Sequence, residues 1–186
     1  MANKDAAFGL KAIGKVGQNR DNQGLSEYDI AASATAIYQN DPVKMLATGT
    51  IGVAAAGDVL LGPLNGVFFT DASTSKPTYA NHLEGSNTAT DIVGFVADDP
   101  YERFEVQSAG TVNQTNIGNC ADIAYTAGSS PNYVSKVEAS GTMAATAAQL
   151  KIIGISKDPD NNELGAANAN VVVTINEHFM KAAAGI

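Results

Sequence analysis

Residues 95–108 have the sequence FVADDPYERFEVQS, in which two apolar runs flank a short segment rich in acids. In the second run, Phe104 and Val106 alternate with charged or polar neighbours, a two-residue period that is typical of a half-buried strand. Pro100 cannot donate to a sheet ladder and therefore marks the connection that precedes this strand. The stretch predicts a strand, a turn and a second strand.

The acids of this stretch are also candidates for a metal-binding or catalytic cluster, since Asp98, Asp99, Glu102 and Glu105 lie close together in sequence. Their carboxylate oxygens suit a hard cation such as Ca²⁺. The spacing of an EF-hand calcium loop is absent here, and DPDNNELG (158–165) imitates one only loosely. We therefore interpret Asp98 and Asp99 as part of a turn between two strands and predict no bound metal.

Strand-like segments follow one another from residue 41 onwards, at 43–53, 59–70, 76–83, 89–99, 102–108, 120–126, 131–140, 150–157 and 168–179. The glycines and proline within 59–70 predict a bulged strand. TMAATAAQL (142–150) is predicted as one short helix, because Ala and Gln favour helix. The fold class predicted is mainly β: a single β-barrel or sandwich-like domain with one short helix and an extended N-terminal arm.

Residues 1–40 differ from this pattern, because they mix glycines and polar residues with isolated apolar residues and show no period of 2 or 3.6. They predict an extended arm (1–40) that precedes a β-rich domain (41–186). The arm is either a mobile terminus or a segment that becomes ordered only against a partner. In the second case, its apolar residues would enter grooves on that partner: Phe8, Leu10, Ile13, Val16 and Leu25.

Charge and composition exclude several classes of function. The formal net charge is −8 and the eleven basic residues are scattered, whereas a nucleic-acid-binding protein needs a basic stripe. No apolar run has the roughly 18 residues of a membrane span, and the start of the chain lacks a signal-peptide pattern. The single Cys120 forbids an intrachain disulfide and indicates a reducing cytoplasm. We therefore expect no nucleic-acid or membrane partner.

No pattern of catalytic residues is visible either. His82 and His178 are the two histidines, and the chain contains no nucleophile elbow, no H-E-x-x-H and no phosphate-binding loop. A small hydrolase that uses Asp98, Asp99 or Cys120 is the weakest of the hypotheses. We expect no catalytic residue, no cofactor and no enzymatic activity.

Several elements occur in an order that resembles one family of virion proteins. They are Asp98–Pro100 at the end of a strand, Phe104–Gln107, Asn116–Gly118, and Asn170–His178 in a closing strand. In this order, from about residue 40 to residue 178, the chain is similar to capsid decoration (cement, head-stabilising) proteins of tailed bacteriophages, which are encoded beside the major capsid protein. The resemblance implies a structural protein that binds the outside of a phage head, has the major capsid protein as its partner and has no catalytic residues. It would be made in the cytoplasm of the bacterial host and would end on the capsid exterior.

Composition agrees with such a role. Aromatic residues are 6% of the chain and Trp is absent, and a modest core of this kind often depends on oligomerisation or docking for its final stability. Capsid positions with local threefold symmetry would favour a trimer. The alternative is a receptor-binding or fibre-type β module on the virion surface. That role would favour exposed aromatic platforms for glycan and a coiled or repetitive stalk, and the sequence shows neither.

Overall fold

The computed structural model describes residues 2–17 and 24–181, in which the chain forms β-strands and two short 3₁₀ turns. The strands are β1 (Lys11–Lys15), β2 (Ser26–Asp29), β3 (Pro42–Met45), β4 (Ile51–Val53), β5 (Gly62–Thr70), β6 (Pro77–Ala80), β7 (Val93–Val96), β8 (Glu102–Gln107), β9 (Cys120–Ala121), β10 (Ile123–Ala124), β11 (Glu138–Ala139), β12 (Leu150–Ile155) and β13 (Asn170–Ile175). The 3₁₀ turns are Gln114–Asn116 and Phe179–Lys181. None of the helical segments in this part of the chain is long and apolar enough to cross a membrane. The predicted mainly β, sandwich-like fold is confirmed.

The first sheet has the strand order β1-β8-β13-β12-β9, and all of its pairs are antiparallel. Val171 and Val173 of β13 lie opposite Val106 and Phe104 of β8. All four side chains are fully buried in one apolar cluster, and each contributes on the order of 1.5–3 kcal/mol. A slip of one residue would expose all of them, so their burial sets the register. The strand predicted at residues 102–108 is confirmed.

The second sheet has the order β2-β7-β5-β3-β4, and β6 also pairs with β5. The pairing of β5 with β7 shifts register between Leu64 and Gly66, which confirms the bulge predicted within residues 59–70. At Gly62 the backbone has a φ of +155°, and a Cβ atom would lie 2.1 Å from the carbonyl oxygen of Ala97. Glycine is therefore required where β5 passes the end of β7.

Two apolar clusters lie side by side in the molecule. Leu60 and Leu61 are adjacent in sequence but belong to different clusters, as do Val96 and Ala97. Successive side chains of an extended chain point in opposite directions. At these two points, the backbone therefore runs between the two clusters and contributes one side chain to each.

The described residues of the predicted N-terminal arm (1–40) are extended, but they pair with both sheets and do not stand apart from the domain predicted for 41–186. β1 lies antiparallel to β8, and β2 lies antiparallel to β7. Strands therefore begin at Lys11 and not near Val43. Periodicity does not show these strands, because each is a short edge strand with one neighbour and β1 contains a bulge.

Buried side-chain amides hold the first described residues of the chain. Gln107 donates to the carbonyl of Lys4 over 2.8 Å and accepts from the amide N–H of Ala6 over 2.9 Å. Asn161 donates to the Lys4 carbonyl over 2.7 Å and accepts from the Lys4 N–H over 3.2 Å. These side chains replace a neighbouring strand as hydrogen-bond partners. The segment is therefore ordered without showing a strand pattern.

The helix predicted at residues 142–150 is wrong. Ala144 instead exchanges two backbone hydrogen bonds with Cys120, of 2.8 and 3.0 Å. The buried Gln149 donates from Nε2 to the carbonyl of Asp58 over 2.7 Å. Helix propensity is a weak preference that tertiary contacts override, and here the segment gains its hydrogen bonds from distant parts of the chain.

Two predicted strands are also shorter than expected, because residues with positive φ interrupt them. Residues 43–53 form a hairpin in which β3 and β4 flank a turn with Gly49 at a φ of +79°. Residues 131–140 keep strand structure only in β11. Before it, Tyr133 has a φ of +53° and donates its N–H to the carbonyl of Ser129 over 3.0 Å.

Candidate functional site

The segment Asp98–Tyr101 connects β7 of the second sheet to β8 of the first. The carboxylate of Asp99 accepts the N–H of Tyr101 over 2.8 Å, and its carbonyl accepts the N–H of Glu102 over 3.1 Å. An aspartate that binds backbone N–H groups two and three residues later closes a tight turn. The prediction that Asp98 and Asp99 belong to a turn is confirmed.

The two carboxylates of this turn also hold both edge strands of the N-terminal segment. Asp98 accepts hydrogen bonds from the hydroxyl groups of Ser26 (2.9 Å) and Tyr28 (2.6 Å) in β2. Asp99 forms a salt bridge of 2.5 Å with Lys15 at the end of β1. The turn thus binds one edge strand of each sheet through side-chain contacts.

Protonation of these groups is shifted in directions that follow from their contacts. The hydrogen bond from Lys15 is the largest influence on Asp99 and lowers the pKa of its carboxyl group. Burial, followed by the hydrogen bond to Asp98, raises the pKa of the Tyr28 hydroxyl. At neutral pH, the Asp99 carboxylate is therefore charged and the Tyr28 hydroxyl is protonated.

His178 is buried close to the turn, and its Nδ1 accepts the N–H of Met180 over 3.0 Å. Burial lowers the pKa of the imidazole to about 4, and the neighbouring Lys181 ammonium acts in the same direction. The ring is therefore neutral at pH 7. Its role in this position is to hold the 3₁₀ turn that presents Met180.

Exposed apolar side chains surround the turn, and we call this group the corner surface: Val16 (51% exposed), Leu25 (40%), Tyr101 (64%) and Met180 (51%). Val16 donates its N–H to the carbonyl of Tyr101 over 2.9 Å. Leu25 and Met180 line one shallow groove beside Asp98–Pro100. The ammonium of Lys181 lies 5.0 Å from the centre of the Tyr101 ring. The corner is therefore an apolar surface on a turn fixed by hydrogen bonds.

The residues predicted to contact a partner differ in their burial and in their position in the structure. Leu10 is fully buried in the cluster of the first sheet, so it is not available to a partner, and this prediction is corrected. Phe8 is half-buried, and Ile13 is exposed at the bulge of β1. Val16 and Leu25 lie in the corner surface.

Sequence reasoning missed the other two residues of the corner surface. Tyr101 directly follows the proline of a predicted turn, which is a position where exposure could have been inferred. Met180 carries no comparable signal. It reaches the corner because the 3₁₀ turn after β13 ends beside the turn between β7 and β8.

A second surface, with one exposed and two half-buried rings, lies on the outer face of the second sheet, and we call it the aromatic face: Phe68, Tyr79 and Phe95. The ring centres of Phe68 and Tyr79 are 4.8 Å apart, and those of Tyr79 and Phe95 are 6.5 Å apart. Tyr79 is 75% exposed. The sequence shows no such platform, because its rings come from three different strands.

The remaining residues considered for catalysis or metal binding lie in structural contacts. His82 stacks on Tyr133, with ring centres 3.9 Å apart, and its Nδ1 lies 2.9 Å from the side-chain oxygen of Asn81. Cys120 is half-buried in β9. Within residues 2–17 and 24–181, no three His, Cys, Asp or Glu side chains are placed to hold a metal ion.

Comparisons of the chain with protein-family models, with curated proteins and with solved structures gave no match. A functional assignment therefore depends on the residues and surfaces of the chain itself.

Proposed function

We propose that this protein is a structural virion protein that binds the outer surface of a phage head and stabilises the capsid lattice, with the major capsid protein as its partner. The observation that carries the proposal is the corner surface. Its apolar side chains are exposed around Asp98–Pro100, the same turn that belongs to the sequence elements resembling capsid decoration proteins. Clustered exposed apolar residues mark interaction sites more often than isolated ones do.

The construction of the corner suits binding without rearrangement. Asp98 and Asp99 hold the turn through three side-chain partners, so little conformational entropy remains to be lost when the surface is covered. Preorganisation of this kind strengthens binding for a given buried area. The surface is small, and the affinity of one copy for the capsid would be modest.

Repetition on the capsid would compensate for a modest affinity. We propose that the protein associates as a trimer at local threefold positions, since closed symmetric assemblies use the same contact repeatedly. Linked copies raise the effective concentration of each remaining contact. The proposed role uses burial of surface at capsid junctions and requires no cofactor or catalytic group.

The direct test is co-sedimentation with phage heads that lack the protein. Replacing Tyr101 and Met180 together with Ser should weaken binding by at least about tenfold, given the apolar area removed. The matched control replaces Ile153 and Leu164 with Ser, since both are 40% exposed and lie outside the corner surface. Equal binding by the two double variants would contradict the assignment of the corner as the capsid contact.

Virions provide a second test. We expect on the order of hundreds of copies per particle, as repeated lattice positions require. Heads assembled without the protein should form but lose their DNA at lower temperature. Heads that never form, or that resist heat as well as complete ones, would exclude the stabilising role.

A receptor-binding or fibre-type β module is the second candidate, and the aromatic face is the observation that favours it. Such a module would occupy fibre or vertex positions, so virions would contain about a dozen copies or fewer. Copy number therefore separates the two candidates.

A further inference from the structure

The aromatic face is continuous with two carboxylates on the same side of the second sheet. Phe95 and Val93 alternate with buried residues along β7, so both point outward. Glu27 of β2 lies opposite Phe95, and Asp29 lies opposite Val93. On the other side of β7, Val93 pairs with Phe68.

Strand register places the rings and the carboxylates next to each other. Phe68 lies opposite Tyr79 of β6, and the Tyr79 ring stacks towards Phe95 at an interplanar angle of 16°. Directly opposed side chains of antiparallel strands have Cβ atoms about 5 Å apart. Phe95 is therefore flanked by the Tyr79 ring on one side and by the Glu27 carboxylate on the other.

Within residues 2–17 and 24–181, neither the rings of the aromatic face nor the adjacent carboxylates of Glu27 and Asp29 have a charged partner. Glu27 and Asp29 are exposed, and in the part of the chain that the structure describes they make no side-chain hydrogen bond or ion pair. Among the same residues, the cation–π contact is that of Lys181 with Tyr101, at the corner surface. Among the described residues, the aromatic face is thus bordered by two exposed acidic side chains, Glu27 and Asp29.

The acidic side chains beside the aromatic face indicate which kind of ligand fits it best. A second copy of this chain that docked through the same face would place its own Glu27 and Asp29 against like charges. A neutral saccharide would use the rings but leave the carboxylates without a partner. A planar guanidinium both stacks on aromatic rings and forms paired hydrogen bonds with a carboxylate.

We propose that the aromatic face binds an exposed arginine on a basic segment of a partner protein, with the guanidinium over Phe95 beside Tyr79 and paired with Glu27. Asp29 would attract the neighbouring basic residues of the same segment. This inference is independent of the capsid contact proposed for the corner surface, because the two surfaces share no residue.

The test uses the full-length protein, a short capped peptide containing two arginines, and the same peptide with citrulline in place of arginine. Citrulline has nearly the same shape but no charge. In aromatic NMR spectra, we expect the arginine peptide to shift the ring resonances of Tyr79, Phe68 and Phe95, and the citrulline peptide to leave them unchanged. The shifts should weaken when salt is raised from about 0.05 M to 0.5 M, because exposed charges are screened.

Single-residue variants test whether the arginine peptide binds at the aromatic face. Tyr79→Ala and Glu27→Gln should each reduce the affinity for the arginine peptide by about 2- to 5-fold, the range expected for one exposed cation–π contact or ion pair. The controls are Tyr101→Ala, which removes an exposed tyrosine of the corner surface, and Glu84→Gln, which removes an exposed acid elsewhere. Both controls should bind as the unaltered protein does. Glu27→Gln keeps the test decisive if Tyr79→Ala does not fold.

Three results would overturn the proposal: equal binding of the citrulline peptide, equal loss in Glu84→Gln, or no ring shift with the arginine peptide. A neutral oligosaccharide such as cellohexaose that shifts the same rings when the arginine peptide does not would assign the face to sugar instead. Loss of capsid co-sedimentation in the corner variants leaves this outcome unaffected, so the two proposals fail separately.

Discussion

The ammonium group of Lys15 lies 2.5 Å from Oδ2 of Asp99, which joins the last residue of β1 to the turn between β7 and β8. Both side chains are largely shielded from solvent, at 16% and 29% exposure. This pair, together with the hydrogen bonds to Asp98, makes the N-terminal segment part of the same structure that presents the corner surface.

Replacing Asp99 with Asn tests how much the salt bridge between Lys15 and Asp99 contributes to stability. The amide oxygen of Asn can still accept the N–H of Tyr101, so the change mainly removes the ion pair with Lys15. We expect the free energy of unfolding in urea at pH 7 to fall by about 1 kcal/mol, at the upper end for partly exposed ion pairs.

The pH dependence of this variant has a defined sign. Lys15 lowers the pKa of Asp99 below its ordinary value of 3.8, so the pair stabilises the protein above that pH and the contribution is lost as pH falls through the folded pKa. The deficit of Asp99→Asn should therefore shrink below pH 3.8. Asp160→Asn is the control, because the Lys4–Asp160 pair has the same 2.5 Å distance but is 68% and 55% exposed. A similar loss in both variants would show that burial does not strengthen the Lys15 pair.

Leu10→Ala distinguishes a structural N-terminal segment from a mobile arm. Leu10 is fully buried in the core of the first sheet, and truncation of such a leucine typically costs about 2–5 kcal/mol. We expect the urea midpoint to fall accordingly. Ile13→Ala, at a side chain 39% exposed, should cost well under about 1 kcal/mol. A neutral Leu10→Ala, with rapid proteolysis of residues 2–17 in the native protein, would show that this segment is not part of the core.

Asp41 and His178 are predicted to affect stability with opposite dependence on pH. Burial raises the pKa of the Asp41 carboxyl to about 6, so its contribution to stability is fully present below the ordinary value of 3.8 and is lost as pH rises through about 6. Burial lowers the pKa of His178 to about 4, so stability is lost as pH falls from 6.5 towards 4, where the unfolded chain takes up a proton first. Each shift corresponds to roughly 3 kcal/mol.

The two effects oppose each other between pH 4 and pH 6, and single variants separate them. Asp41→Asn should leave the His178 effect alone, and its stability should fall steadily on acidification through this window. His178→Gln should show the reverse slope. Thermal unfolding at half-unit pH intervals measures both. Parallel profiles for the two variants would show that at least one of these groups titrates normally.

Gly62→Ala tests the close approach of β5 to the backbone after β7. A Cβ at this position would meet the Ala97 carbonyl oxygen at 2.1 Å, with φ at +155°, so we expect a loss of more than about 2 kcal/mol from overpacking and backbone strain combined. Gly154→Ala is the control, since no atom lies within 4 Å of its Cβ position. The loss of secondary structure is followed by circular dichroism during urea titration. A Gly62→Ala protein as stable as the control would show that the backbone shifts at little cost.

Sequence alone identified the features that depend on near neighbours in the chain. The alternation of Phe104 and Val106 predicts β8, because side chains two residues apart share a face of a strand. The proline and acids at Asp98–Pro100 predict the turn, because an aspartate binds N–H groups within its own few residues. The lack of an apolar period in residues 1–40 did not distinguish the exposed Val16 and Leu25 from the buried Leu10.

Tertiary structure decided the features that depend on distant pairing. Lys11 pairs with Glu105 across more than ninety residues, and no local pattern encodes that partner. The segment 142–150 has helix propensity, yet a preference of tenths of a kcal/mol per residue is outweighed by hydrogen bonds to Cys120 and Asp58.

Both candidate surfaces also depend on tertiary pairing that local sequence does not encode. Tyr101 and Met180 meet Val16 and Leu25 only because two turns end at one corner of the molecule, and the aromatic face exists only in the register of three strands. Local chemistry determines the shape of each strand and turn, because it involves contacts within a few residues. The assembly of a surface requires closing long loops, and the free energy for that closure comes from the burial of the whole core.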